Sequence, residues 1–151
     1  MAFLRRLLSL FGNFIPTTSE SSIPEIVRDD ESIVRYIFDS KHFHKPKNAV
    51  KPDAFLPHGN PLETSVFRVD GLIDEDIWHI GSSIAQKRER SLKARANFEA
   101  RAISGTPLRF DPNDDPPRHA NIVGWPQEKS DQLQLALEIA EKATLQLAPQ
   151  T

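Results

Sequence analysis

The sharpest periodicity along the chain is a strict alternation over residues 92–103, where Ala94, Ala96, Phe98, Ala100 and Ala102 interleave with Lys93, Arg95, Asn97, Glu99 and Arg101. Successive side chains of a strand point to opposite faces, so a period of two predicts a long strand with one apolar and one charged face. Alanine favours helix intrinsically, but a helix would scatter these charges around its whole circumference, and the pattern decides for a strand. Residues 64–70 set Val66 and Arg68 against Phe67 and Val69 before Asp70-Gly71, which predicts a second strand. Short apolar runs at 108–110 and 120–125, the latter ended by Pro126, predict two more.

Helical spacing governs two other stretches. From Asp74 to Arg90, Ile77, Ile80, Gly81 and Ile84 share a face and the Lys87-Arg88-Glu89-Arg90 run suits the C-terminal end of a helix dipole. Residues 128–147 align Leu133, Ala136, Leu137, Ala140 and Thr144 in one stripe, with Glu138 and Lys142 paired across one turn. Between Asp29 and Phe38 the acidic start suits a helix, while Ile33 to Phe38 reads equally as a short strand. Residues 41–61 hold four lysines, three histidines and four prolines without a period. They read as an extended surface loop, and its unusual length hints at function.

At the N-terminus, Leu4, Leu7, Leu8 and Phe11 fall at helical spacing beside Arg5 and Arg6. This amphipathic helix, residues 1–15, is too short to span a bilayer and no signal-peptide cleavage site follows it. It reads as a device for docking on a protein partner, with contact to a membrane surface as the alternative. Residues 16–24, rich in serine and threonine between Pro16 and Pro24, read as a flexible linker. The expected fold is α+β: residues 25–151 form a single domain with a small, mostly antiparallel sheet of three to five strands packed by two main helices, and the N-terminal helix stands apart.

Composition narrows the chemistry. No cysteine is present, which removes disulfides, thiolate zinc sites and a cysteine nucleophile and fits a cytoplasmic protein, membrane-associated if the N-terminal helix meets lipid. A formal net charge of -2 gives no whole-molecule attraction to polyanions. Two local stretches are basic, however: residues 41–51 with four Lys or Arg, and residues 87–101 with six. Side by side they would make a cationic face suited to nucleic acid or a nucleotide, aided by stacking on Phe43 or Phe55.

The densest cluster of unusual residues is 116–126, where Arg118, His119, Asn121 and Trp125 stand between prolines. His119 is a candidate general acid or base, with Arg68, Lys93, Arg95 and Arg118 as anion contacts and Trp125 as a ligand-binding aromatic. The same residues also read as polar groups satisfying the backbone where the chain enters a sheet. His42 and His44 are spaced for a shared metal with His58 or Asp53, but the surrounding lysines oppose a cation, and neither a metal nor a cofactor is expected. With no catalytic motif present, the leading expectation is a non-catalytic binding or adaptor protein. It would recruit a macromolecular partner through residues 1–15 and the basic loop face. The alternative is an enzyme or binder acting on a nucleotide or RNA phosphate through His119.

Overall fold

The structure, a computed structural model, describes residues 23–150. The β-branched run Ser32–Ile37 forms strand β1, which resolves the helix-or-strand choice at this position. Residues 41–61, expected to be an unstructured loop, instead contain a small ribbon of β2 (Phe43–His44) and β3 (Ala49–Val50), flanked by 3-10 turns at Ser40–His42 and Pro52–Phe55. Strand β4 (Thr64–Arg68), helix α1 (Asp74–Arg88) and strand β5 (Ala94–Glu99) follow where the periodicities put them. Strands β6 (Arg109–Pro112) and β7 (His119–Val123) form a hairpin, and helix α2 (Lys129–Lys142) leads into strand β8 (Thr144–Leu147).

These strands build a six-stranded sheet in the order β6-β7-β4-β1-β5-β8 with every neighbour antiparallel. The α+β class holds, and the sheet is larger than the expected three to five strands. One added strand comes from the end of the predicted final helix. Thr144, Leu145, Gln146 and Leu147 pair with β5 instead of continuing the helix, so Leu145 is buried and Leu147 remains part-exposed. The helix phase also differs from expectation. Gln132, Ala136, Ile139 and Ala140 face the core, whereas Leu133 and Leu137 are 46% and 37% exposed. Alanines at 136 and 140 let the helix sit close to the Pro52–Phe55 turn, its main neighbour, a fit that bulkier leucines would prevent.

The alternating ribbon is extended as expected, but it ends at Glu99. Ala100–Ile103 coils into a 3-10 turn that buries Ala100, Ala102 and Ile103 together. Within β5 the alternation has a clear consequence: Ala94, Ala96 and Phe98 join the larger core with α2, Phe55 and Ile122. Arg95 points to the other face.

That second face carries a smaller core of Val34, Tyr36, Phe67, Val69 and Ile77 under α1. Gly81 makes the close approach. A Cβ at this position would lie 2.6 Å from Cε1 of Tyr36, so only glycine lets the helix rest on that ring. Because α1 sits over β1 and β5, with Trp78 stacked over Arg95 at 4.6 Å and Ile77 packed with Phe67, the positions farther along the same face, Ser65 of β4 and His119 and Asn121 of β7, are left only part-covered beside it. This offset creates the groove described next.

Candidate functional site

The groove has a volume of about 670 Å³ and runs between α1 and the exposed half of the sheet, closed at one end by the loop that carries Pro116, Pro117 and Arg118. Strand alternation aims Ser65 and Phe67 of β4 and His119 and Asn121 of β7 toward this face, and the register pairs Phe67 with His119 and Ser65 with Asn121. The His119 ring stands edge-on to Phe67, with centroids 5.2 Å apart.

Both nitrogens of His119 are engaged. Nε2 lies 2.7 Å from Ser65 Oγ, and Nδ1 lies 2.8 Å from Asn113 Oδ1. The amide N–H of Asp115 also donates to Asn113 Oδ1 at 3.1 Å, which identifies that atom as the carbonyl oxygen. It follows that His119 donates from Nδ1, leaving the Nε2 lone pair to accept the Ser65 hydroxyl proton. Burial pushes the His119 pKa below 6.5 against the opposing pull of Glu63 and Asp115, which favours the neutral ring this arrangement requires.

The β6–β7 hairpin loop fixes this geometry locally. Amides of Asn113 and Asp114 both donate to the His119 carbonyl, and Asp114 Oδ1 accepts the Arg118 amide at 2.7 Å. Asp114 and Arg118 adopt left-handed backbone, with φ of 55° and 74°. Residues other than glycine bear a cost there that the surrounding bonds must offset.

Beyond Ser65 a second cavity of about 380 Å³ opens, lined by Arg35, Asp39, His42, His58, Glu63, Arg88 and Arg90 among others. It exists because β1 and β4 pair only through Ile33–Arg68 and Val34–Phe67. Past that point the Arg35 side chain replaces the ladder, with Nε donating to the Ala54 carbonyl at 2.8 Å and Nη1 to the Ser65 carbonyl at 2.9 Å. Desolvation, reinforced by the like charge of Arg88, lowers the Arg35 pKa to about 10. Ser65 and Arg88 line both cavities, so the two meet at the serine.

Of the anion contacts expected from the sequence, Arg118 lines the groove next to His119, and its Nη1 also donates to the Arg68 carbonyl at 3.1 Å. Arg68 points through the opposite face of the sheet, where its Nε bonds Glu31 at 2.6 Å and both side chains are buried. Arg95 is buried under Trp78 and pairs with Asp74 at 2.9 Å, and Lys93 is exposed outside both cavities. Trp125 belongs to the larger core, its indole donating to the Ile122 carbonyl at 3.0 Å. The four cations therefore do not converge. Of the two basic stretches, the second is divided: Lys87 and Arg88 line the groove, whereas Arg95 is buried and Arg101 pairs with Glu99.

His42 lines the second cavity with His58, whereas His44 Nδ1 accepts the Lys47 amide. Among the described residues no group of three or more His, Cys, Asp or Glu side chains is placed to hold a metal ion. The docking residues Leu4, Leu7, Leu8 and Phe11, with residues 16–22 of the linker, lie outside the described residues. Among the described residues no helix is long and apolar enough to cross a membrane. The chain matches no family model, curated protein or solved structure.

Sequence reasoning singled out His119, and held Arg88 only as one member of the basic stretch 87–101, but missed Ser65, Asn113 and Arg35. Ser65 and His119 are separated by 54 positions and meet only through the β4–β7 register. One available signal was that Ser65 shares the strand face of Phe67, which makes it the polar position on an otherwise apolar face.

Proposed function

We propose that this domain is an enzyme of the serine–histidine type, acting on a phosphate ester or a related anionic ester in the groove beside α1. The observation that carries the reading is the hydrogen-bonded series Ser65 Oγ, His119 Nε2, His119 Nδ1 and Asn113 Oδ1, at 2.7 and 2.8 Å. A nucleophile touching a base, and a base oriented by a third group, is the arrangement that activates a hydroxyl.

Ser65 Oγ attacks the ester centre while its proton passes to His119 Nε2, and the new oxygen bond forms as the bond to the leaving group breaks. His119 then delivers the proton to the departing oxygen; in the second half water attacks the same centre as His119 takes its proton, the bond to Ser65 Oγ breaks, and His119 returns the proton to Oγ. Asn113 holds the ring in the required tautomer. Ser65 lies inside the sheet between β7 and β1, so a backbone oxyanion hole of the kind found at tight turns is not supported. Developing negative charge would instead meet Arg88, which lines both cavities, and Lys87. That charge balance favours a phosphoryl centre over a neutral acyl one.

The test needs no knowledge of the natural substrate. A fluorophosphonate probe should label Ser65 covalently, with fluoride as the leaving group, and mass spectrometry should map the adduct to the β4 peptide. His119→Ala should lower the labelling rate by about 10²–10⁴-fold, the usual contribution of a positioned base, and Asn113→Ala should lower it by less. Folded wild-type protein that stays unlabelled at Ser65, or a folded His119→Ala variant that labels as fast, would overturn the reading.

A further inference from the structure

We infer that the cavity between the separating ends of β1 and β4 is a binding subsite for a phosphate group, with the Arg35 guanidinium as its fixed anchor. Arg35 is deeply set, and its Nε and Nη1 are held by two carbonyl oxygens that leave its charge uncompensated. Among the described residues no carboxylate forms an ion pair with it, and Nη2 makes no hydrogen bond yet is not a buried unsatisfied atom. Its remaining donors therefore face accessible space, and the adjoining space is this cavity. A guanidinium held in one orientation presents its N–H groups as a fork matched to phosphate oxygens.

The other polar groups around the cavity fit the same ligand. Arg88 and Arg90 add two positive charges, and His42 and His58 add ring nitrogens. Asp39 and Glu63 are competing anions at the cavity wall, outnumbered by the guanidinium charges of Arg35, Arg88 and Arg90. Burying a cation without a partner is costly, and a bound anion recovers that cost. Asn121, opposite Ser65 in the register, offers a side-chain amide at the junction of the two cavities.

Phosphate binding stands on Arg35 and its cavity, whereas its place as a subsite of the substrate rests on the reading of Ser65 as nucleophile. The experiment separates the two. Inorganic phosphate is titrated into wild type and into Ser65→Ala, followed by calorimetry and by amide NMR shifts of β1 and β4. Saturable binding is expected in both, weakened at least tenfold by Arg35→Met and by Arg88→Ala, and unchanged by His79→Ala, a residue of α1 that lines the groove but not this cavity.

Because Arg35 also braces Ala54 and Ser65, Arg35→Met is read only if folded, and Arg88→Ala with His42→Ala decides otherwise. Phenyl phosphate should bind more tightly than phosphate if the cavities work as one site. Absence of saturable phosphate binding to wild type at millimolar concentration overturns the subsite, as does binding indifferent to Arg88→Ala and His42→Ala. Phosphate binding to a protein that fluorophosphonate never labels keeps the subsite and refutes the nucleophile.

Discussion

Arg68 and Glu31 offer the sharpest quantitative test of how this domain divides its charged residues between structure and function. Their side chains are 4% and 3% exposed, with contacts of 2.6 Å (Nε to Oε2) and 3.1 Å (Nη2 to Oε1). At an effective dielectric constant near 20, opposite charges about 4 Å apart attract by about 4 kcal/mol. Removing one partner from a buried pair typically costs about 3–5 kcal/mol, because the other charge is left desolvated. Glu31→Ala leaves Arg68 bonded to the Pro24 carbonyl at 2.6 Å and the Ile26 carbonyl at 3.5 Å, neither of which carries a charge.

We therefore expect Glu31→Ala to destabilise by about 3–5 kcal/mol, lowering the urea midpoint by about 2 M at an ordinary slope. Arg68→Met should cost a similar amount. The double variant Glu31→Leu/Arg68→Met should cost far less than the sum, because two apolar side chains of similar volume leave no orphaned charge. It should also label with fluorophosphonate at the wild-type rate, since Arg68 faces away from the groove. Singles costing under about 1 kcal/mol, as for a solvent-exposed pair such as Arg28–Asp30, would refute the argument, and so would strictly additive singles.

Further outcomes follow from the same geometry. Gly81→Ala gains about 1 kcal/mol of helix propensity but drives a methyl into the Tyr36 ring. Overpacking at about 1–3 kcal/mol should prevail, and chemical denaturation showing net stabilisation would contradict it. Leu133→Glu and Leu137→Glu should each change stability by under about 0.5 kcal/mol, whereas Ala136→Glu should unfold the domain; circular dichroism melts distinguish these. For His119 the lowered folded pKa means that the unfolded chain binds its proton more readily. Its contribution to stability should be complete above pH 6.5 and decline as pH falls toward the folded pKa. His42, also lowered by burial, adds in the same sense. His119→Asn should flatten the pH dependence measured by urea titration between about pH 7 and 5.

How much of the fold could be read in advance depends on how local its causes are. The extended state of Ala94–Glu99 follows from alternation alone, and α1 follows from the spacing of Ile77, Ile80, Gly81 and Ile84. The end of α2 was not legible, because Thr144 to Leu147 continues a plausible helical stripe. What makes it a strand is the free edge of β5, a partner some fifty residues earlier in the chain. The phase error at Leu133 and Leu137 has a related cause. A stripe defined by size favours leucine, while a helix seated closely on the Pro52–Phe55 turn selects small residues for contact.

The site shows the same division more sharply. His119 was visible because it sits in a proline-bracketed cluster, yet its role depends on three residues brought to it by different long-range constraints. Asn113 arrives through the left-handed turn of one hairpin, Ser65 through the register of two non-consecutive strands, and Arg88 through the offset seating of α1 on Tyr36. Arg35 is the least expected. In the middle of an apolar strand, it substitutes for the missing β1–β4 ladder and binds the carbonyl of the residue proposed as nucleophile. The place where the sheet fails to close is thus the place where a cation without an ion-pair partner among the described residues, a neutral histidine and a hydroxyl meet. Pairing those strands fully and replacing Arg35 with valine or isoleucine would remove a desolvated cation, so the proposed anionic ligand is what would offset the cost of keeping it.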